Sequence, residues 1–465
     1  MKLRPLLPAA LLLAGLAASC NKDTDPTDPA TDASATDNEW IHAEMKQSYL
    51  WLDEIGSYDS YRTSATASDF FASLISSNEK KTKNGTTYCY SYIEKKHAST
   101  TKVTDYAEDT YGIEYVLYKL STGSYFARVL YVWPDSPAAR AGIERGMWIK
   151  TIDGQSITTS NYALLDSGSG MKLGIWTGDM ERADNLITQT IAVGANASMY
   201  ETPFLKDTIF TGAAGQKIGY LCYSRFATGP TGFDDKAWNE QMGTLFAKYR
   251  AAGVSEFVLD LRYNPGGYID CAILLSSYLI PQSAIGTTFC TLSYNAKSIY
   301  RDKSYSYYAS ALTGNLNLSR VYILAGERTA SASEAVINGL KPVMTVVQIG
   351  ATTEGKNLGS VSIESDYHDW VLHPIVASIV NARGEGDYAN GIAPTAGQEY
   401  DELQDYTQFL PLGSPEDPMT SRALAHMGAL PMSTKGASAP SIAAQGLQPE
   451  LSSIGRKALE GVRLR

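Results

Sequence analysis

The 465-residue chain is poor in charged residues and in side chains that bind metals. Charged residues make up 19% of the chain, the formal net charge is −10, and Lys and Arg form no basic block. We therefore expect no nucleic-acid binding. The five histidines are scattered, and neither Cys-x-x-Cys nor His-Glu-x-x-His occurs. These absences predict a protein without a metal site, and no other cofactor is expected.

Long apolar runs are also missing beyond the first twenty residues, which excludes a multi-span membrane protein. Lys2 and Arg4 precede a short apolar stretch, Leu6 to Leu16, and small residues lead on to Cys20. Residues 1–19 resemble a bacterial lipoprotein signal, which implies that Cys20 carries the lipid. An ordinary secretory signal cleaved nearby is the alternative. We expect a cell-envelope protein that is lipid-anchored to a bacterial membrane and faces the periplasm or the surface.

The remainder of the chain divides by composition and periodicity. Residues 20–38 predict a solvated tether, and residues 39–105 a small N-terminal domain that is helical over 39–77 and then has a strand or two. Residues 106–197 predict short strands. Residues 198–432 alternate strands with helices, which indicates a mostly parallel sheet, and residues 433–465 predict a weakly ordered tail. The Tyr-rich segment 281–319 is either a surface excursion or a lid.

Four cysteines follow Cys20. An oxidising compartment permits disulfides, and the sequence leaves bridges and buried free thiols equally open. The four are Cys89, Cys222, Cys271 and Cys290.

A short helix with clear end signals stands in region 106–197. Ser136 is placed to cap it, Pro137 to begin it and Gly142 to end it. With the strand 148–152 and the turn after it, this series resembles a PDZ domain. The resemblance implies a loop that binds a peptide C-terminus while the peptide adds to the sheet edge. The matching residues are Tyr111, Gly112, Ile113 and Glu114. The acidic Glu114 suits a carboxylate site only if its side chain points away.

Three loops of region 198–432 carry residues suited to acyl-transfer chemistry. The loop 260–267 ends in Asn-Pro-Gly-Gly, whose amides could face a developing negative charge or form a plain turn. Ser331 follows an apolar strand among small residues, although with Glu334 it also matches a capping box. Lys356 follows Gly355 in a third loop, after the strand that ends at Gly350.

In this order, and behind the PDZ-like series, the three loops resemble the carboxyl-terminal processing (tail-specific) serine peptidase family over about residues 106–415. The resemblance implies an α/β fold with a ClpP/crotonase-like catalytic core, preceded by a β-rich PDZ-like domain and the small helical N-terminal domain. It implies protein or peptide substrates that are recognised through their C-termini. The expected function is a serine endopeptidase that cleaves proteins near their C-termini or in unfolded segments through an acyl-enzyme.

The resemblance also assigns roles residue by residue. Ser331 matches the nucleophile and Lys356 the general base, because burial disfavours the ammonium form and leaves an amine that accepts a proton. The oxyanion hole would come from the amides of Ala332 and of Gly266 or Gly267. The family often has Gln four residues after the lysine. Here that position is Ser360, so either Ser360 or Glu334 orients the lysine.

Three other readings of the sequence are open. The chain could be a catalytically inactive, PDZ-bearing peptide-binding scaffold, or a crotonase-type acyl-transfer enzyme without peptidase activity. The presence of both a serine and a lysine in family order argues against each. A triad built on His373 is less favoured, because no Ser-His-Asp set suggests itself.

Overall fold

The computed structural model describes the chain over residues 36–61, 66–83, 86–96, 107–120, 123–176, 187, 189–405, 409–433, 448–453 and 462–463. The expected signal, Cys20 and most of the expected tether lie outside the described residues. Within the described ranges, no helix has the length and apolar character that crossing a membrane requires.

The N-terminal domain (residues 36–96) packs two helices against short strands. Its helices are α1 (Asp37–Ser48) and α2 (Ala67–Ser73), and its strands are β1 (Lys81–Lys83), β2 (Thr86–Tyr88) and β3 (Tyr92–Lys95). Helix α1 begins inside the expected tether, because Thr36 and Glu39 form a capping box there. The helix expected over 39–77 is interrupted, since Tyr49 has extended backbone angles and two 3₁₀ turns follow it.

In its described residues, the middle domain (residues 107–199) is mainly an antiparallel sheet, with a short α-helix and a 3₁₀ turn. Its elements are β4 (Glu108–Thr110), β5 (Ile113–Lys119), β6 (Tyr125–Val132), α3 (Pro137–Ala141), β7 (Trp148–Ile152), β8 (Gln155–Ser156), β9 (Met171–Trp176), β10 (Gln189–Val193) and β11 (Ala197–Met199). The main sheet has the order β10-β9-β7-β6-β5. Helix α3 is built as predicted: Ser136 accepts the N–H of Ala139 at 3.1 Å, and Gly142 ends the helix with φ +82°.

The α/β domain (residues 204–433) has a central sheet of order β12-β13-β14-β17-β18. Its neighbours are parallel except for the edge strand β12, which confirms the predicted mostly parallel sheet. The elements are β12 (Phe204–Thr211), β13 (Lys217–Tyr223), α4 (Ala237–Ala251), β14 (Val254–Asp260), α5 (Ile269–Leu279), β15 (Thr288–Tyr294), β16 (Lys303–Ser306), β17 (Arg320–Ala325), α6 (Ala332–Leu340), β18 (Thr345–Gly350), β19 (Leu358–Ser360), β20 (Ile363–Glu364), β21 (Trp370–His373), β22 (Ile375–Asn381) and α7 (Pro418–His426).

Alternate residues of β13 face two different cores, as expected for a central strand. Tyr220 and Cys222 lie in the core that includes residues of α7, whereas Leu221 and Tyr223 lie in the larger core with α4, α5 and α6. A second sheet, β16-β15-β22-β19, packs against this larger core. The Tyr-rich segment supplies its β15–β16 hairpin and buries Tyr307, so the segment belongs to the folded body of the domain.

Two short strands of the C-terminal region pair with sheets of the middle and α/β domains. Strand β23 (Gln448–Ser452) pairs antiparallel with β5 of the middle domain, and β24 (Val462–Arg463) pairs parallel with β19. Both differ from the weakly ordered tail expected over 433–465. Backbone pairing at an exposed sheet edge does not require an apolar side-chain pattern, so the composition of this region gave no sign of it.

The four cysteines of the described ranges are free thiols, which answers the question that the sequence left open. Three of them, Cys222, Cys271 and Cys290, are buried in the α/β domain, and Cys89 is half-buried in the N-terminal domain. Burial raises the pKa of each thiol and so disfavours the thiolate.

A buried cluster of charges joins the middle domain to the α/β domain. Arg262 binds Asp417 at 2.7 Å and Asp260 at 2.8 Å, and Arg145 of the middle domain binds Glu402 at 3.0 Å. Burial would raise the pKa of Glu402, but the guanidinium groups of Arg145 and Arg262 outweigh burial and lower it to about 2. The cluster fixes the loop that begins at Asp260 against the neighbouring domain.

Candidate active site

Ser331 occupies the tight turn between β17 and α6 with an uncommon backbone conformation. Its φ is +62° and its ψ is −115°, angles that a residue with a side chain rarely adopts. The side chain is fully buried, and within the described residues its hydroxyl has no hydrogen-bond partner. The turn therefore presents an unengaged hydroxyl at the start of a helix.

Glu334 joins the turn of Ser331 to the loop of Lys356. Its Oε2 accepts the backbone N–H of Ser331 at 2.8 Å and that of Lys356 at 2.7 Å. Its Oε1 accepts the Thr353 hydroxyl at 2.5 Å and the Gly355 N–H at 2.6 Å. Burial raises the pKa of Glu334, although these four bonds favour the charged form. Glu334 thus makes the back-bond of a capping box and also positions the backbone of Lys356.

Lys356 is fully buried beneath the N-terminal domain. Its Nζ lies 4.5 Å from the ring centroid of Tyr90, whose hydroxyl donates to Glu354 at 3.1 Å. Tyr90 lies in the part of residues 39–105 for which the sequence predicted a strand or two, but nothing in its local pattern indicated a contact with a residue more than 260 positions away. Ser360, the other proposed orienting residue, is buried on β19.

The two adjacent glycines have different surroundings. Both have positive φ, +113° at Gly266 and +133° at Gly267. The N–H of Gly266 donates to the Asn264 side chain at 2.9 Å, so it is already engaged. The N–H groups of Gly267 and Ala332 donate no backbone hydrogen bond in the described part of the chain. Of the two glycines, Gly267 has the available donor.

Gly266 instead provides close packing against the serine turn. A Cβ at this position would lie 2.8 Å from the Cβ of Ser331 and 3.1 Å from the N of Ala332. Asn264, which sequence reasoning gave no role, holds this packing together. Its carbonyl accepts the Ser333 hydroxyl at 2.9 Å and the Ala330 N–H at 3.1 Å. An Asn before Pro-Gly-Gly was the available signal for it.

The loop Tyr111 to Glu114 lies in the middle domain, away from these residues. The hydroxyl of the buried Tyr111 accepts the Gly170 N–H at 2.9 Å, and Gly112 has φ +75°. Ile113 begins β5. Glu114 is 3% exposed, and its carboxylate accepts a hydrogen bond from Ser453. The structure therefore separates the predicted peptide-binding residues from the predicted catalytic ones.

Ser362, His373 and Glu94 lie in a row of side chains, each within hydrogen-bond distance of the next, which the sequence did not suggest. The Nδ1 of His373 lies 3.1 Å from the Ser362 hydroxyl and its Nε2 lies 3.0 Å from Glu94, while the Tyr92 ring stacks on it at 4.2 Å. The side chain of Glu94 is 47% exposed, so solvent screens its charge. Within the described residues, no cluster of three or more His, Cys, Asp or Glu side chains is arranged to hold a metal ion.

Comparisons with known proteins find similarity to peptidases. Residues 217–397 match the model of peptidase family S41, and residues 37–92 match that of the peptidase S41 N-terminal domain. A crystal structure described as an S41 protease from Bacteroides fragilis is 32% identical, with a TM-score of 0.71. The match covers 84% of this chain and 97% of that one.

Curated relatives match over shorter spans. The carboxyl-terminal-processing protease of Picosynechococcus sp. is 26% identical over 238 residues, which is 50% of each chain. The carboxy-terminal processing protease CtpA of Bacillus subtilis is 26% identical over 291 residues, 60% of this chain and 55% of that protein. The chain thus spans about half the length of these curated relatives.

Proposed function

Because the chain belongs to peptidase family S41, we propose that it is a serine endopeptidase with Ser331 as nucleophile and Lys356 as general base. The observation that carries the proposal is the shared Glu334 oxygen, which accepts the backbone N–H groups of both residues. The Glu334 carboxylate therefore holds the turn of Ser331, whose hydroxyl is unengaged, next to the loop of Lys356, whose amine is buried. Such a pair suits acyl transfer.

The proposed reaction proceeds in two halves. Neutral Lys356 takes the proton of the Ser331 hydroxyl as its Oγ attacks the peptide carbonyl, and the negative oxygen that forms faces the N–H groups of Gly267 and Ala332. Lys356 then gives the proton to the leaving amine as the C–N bond breaks, which leaves an ester on Ser331. In the second half, water attacks the ester as Lys356 takes its proton, the bond between the acyl carbon and Ser331 Oγ breaks, and Lys356 returns the proton to Oγ as the new carboxyl terminus leaves.

The proposal extends to the architecture around the site. We infer that the middle domain is PDZ-like, supported by the α3 end signals and by an edge strand on which another strand lies. The ClpP/crotonase-like core is supported by the parallel order β13-β14-β17-β18, with the proposed active-site loops at the carboxyl ends of its strands. The names of the curated relatives favour substrates cleaved near their C-termini, with unfolded segments as a second class.

The test compares substitutions in the full chain, with casein hydrolysis and labelling by a serine-reactive fluorophosphonate as readouts. Ser331→Ala and Lys356→Ala should each leave less than about 1% of wild-type hydrolysis, with unchanged circular dichroism. Lys356→Arg should also fail, because arginine stays protonated in proteins.

Ser362→Ala is the matched control, since it removes a serine hydroxyl from the His373 row. It should keep full activity, and the label should map to Ser331. Hydrolysis that survives Ser331→Ala but is lost in Ser362→Ala would overturn the proposal and assign the chemistry to the row with His373 and Glu94.

A further inference from the structure

The edge of the middle-domain sheet is occupied by the chain's own C-terminal region. Strand β23 runs antiparallel to β5, with Gln448 opposite Lys119 and Ser452 opposite Val116. The occupying strand therefore runs toward the start of β5, where Glu114 and Tyr115 lie. An extended peptide that adds to a sheet edge takes the same arrangement.

Ser453, the next residue, makes side-chain contacts with the beginning of β5. The Tyr115 N–H donates to the Ser453 hydroxyl at 2.9 Å, and this hydroxyl donates to Glu114 Oε2. Ser453 and Glu114 are 5% and 3% exposed. A hydroxyl group both accepts and donates, so it satisfies an amide and a carboxylate at once.

A terminal carboxylate does not fit the same place. It has no proton to donate to Glu114, and two like charges would meet in a buried site. Two loop amides that could otherwise bind it are already engaged: Tyr111 N–H donates to the Asp166 carbonyl at 3.0 Å, and Gly112 N–H donates to the Thr110 hydroxyl at 2.9 Å. The loop differs in this respect from the C-terminus-binding role that the sequence implied.

We propose that Glu114 and the Tyr115 N–H form a subsite that selects a serine or threonine inside an extended segment, and that Gln448–Ser453 occupies it until a substrate segment displaces it. The proposal rests on the proposed peptidase function for its substrate but not for its binding chemistry. Strand β24 adds a second contact of the same C-terminal region, on β19, which begins two residues after Lys356. Displacing the region would therefore free both the docking edge and a strand beside the proposed base.

The binding test uses the full chain carrying Ser331→Ala, so that no probe is cleaved. The probe is a fluorescent, C-terminally amidated hexapeptide with the sequence of Gln448–Ser453, alongside a version whose last serine is alanine. Adding Ser453→Ala to the protein weakens the resident segment and should tighten binding of the serine probe about tenfold. Ser452→Ala, the matched control, removes the neighbouring buried hydroxyl and leaves the Ser453–Glu114 pair intact, so it should tighten probe binding less than Ser453→Ala does.

In the Ser453→Ala protein, the alanine probe should bind at least about tenfold more weakly than the serine probe. Glu114→Leu should remove this difference, whereas Glu114→Gln, which retains an acceptor, should keep part of it. Equal affinity for the two probes would overturn the subsite. So would a free-acid alanine probe that binds as tightly as the amidated serine probe, since that result indicates a carboxylate site.

Activity provides a separate readout in chains that keep Ser331. Ser453→Ala should raise kcat/KM for an amidated serine-containing peptide about tenfold, through a lower KM, and Ser452→Ala should raise it less. If the chain hydrolyses no peptide at all, the proposed function fails while the binding result stands. If hydrolysis is normal but Ser453→Ala changes neither affinity nor KM, the resident segment is not a competitor.

Discussion

The turn that contains the proposed nucleophile has backbone angles that few residues adopt. Ser331 has φ +62°, and an arrangement of this kind costs about 1–3 kcal/mol, which the surrounding contacts must offset. The hydrogen bond from Ser331 N–H to Glu334 and the packing of Gly266 against its Cβ are two of those contacts. Adding a single methyl group next to this turn should therefore disturb its conformation.

Gly266→Ala should reduce hydrolysis at least about a hundredfold, because its Cβ would lie 2.8 Å from the Cβ of Ser331 and displace the nucleophile. Gly253→Ala is the matched control: φ there is +73°, and nothing lies within 4 Å of the added atom. It should cost about 1 kcal/mol of stability and leave kcat unchanged. Steady-state kinetics and urea unfolding distinguish the two effects. Normal kcat in Gly266→Ala would contradict the packing argument.

The environment of the proposed base is completed by a different structural element. The turn between β2 and β3 places Tyr90 over the Lys356 ammonium at 4.5 Å, and β3 is fixed to the α/β domain by its pairing with β21. The ring favours the charged amine, whereas burial favours the neutral one. The N-terminal domain therefore contributes directly to the surroundings of the proposed base.

Tyr90→Leu should shift the midpoint of the kcat/KM pH profile downward by about half a unit to one unit, because the aromatic face that stabilises the ammonium is lost. Tyr90→Phe keeps the ring and removes only the hydroxyl that binds Glu354, so its midpoint should match the wild type. Profiles measured with one peptide across pH 6–10 provide the comparison. An upward shift in Tyr90→Leu would show that solvent entry outweighs loss of the ring.

At the scale of the whole molecule, three domains meet through buried polar contacts as well as apolar ones. Arg145 reaches from the middle domain to Glu402, and Arg262 links Asp260 to Asp417 within the same cluster. Removing one carboxylate leaves buried guanidinium charge with fewer partners, which is more damaging than losing an exposed pair. Domain association is therefore tied to the charge of Glu402.

Glu402→Gln tests this link through acid stability. The pKa of Glu402 is lowered to about 2 in the folded state, so its contribution is complete above its ordinary pKa near 4.5 and is lost as the pH falls toward 2. The variant should lose about 3 kcal/mol of unfolding free energy at pH 7. Its stability should also fall less steeply than that of the wild type between pH 4.5 and 2.

Urea unfolding at a series of pH values measures both quantities. Glu364→Gln, a substitution at an exposed position on β20, should leave the curve unchanged. Parallel pH dependence in wild type and Glu402→Gln would contradict the assigned role of the cluster.

Local sequence patterns predicted the helices and strands more accurately than the contacts between them. Apolar runs were enough for the mostly parallel sheet of residues 198–432, and cap residues were enough for the ends of α3. The motif order pointed to Ser331 and Lys356, which the structure brings to one carboxylate. The Tyr90 contact and the pairing of β23 with β5 join segments hundreds of residues apart. Such long-range contacts produce no periodic pattern in the sequence from which they could be predicted. The engagement of Gly266 depends on one side-chain rotamer of Asn264.

The reactivity of the free, buried thiols reports local opening of the fold. A thiol reacts with iodoacetamide as the thiolate and only when exposed, and burial suppresses both conditions here. Cys89 belongs to the N-terminal domain, while Cys222 and Cys290 lie on opposite sides of the α/β domain's central sheet. The alkylation rates at Cys222 and Cys290 consequently measure how often each side of the central sheet opens, whereas the half-buried Cys89 reports local exposure of the N-terminal domain.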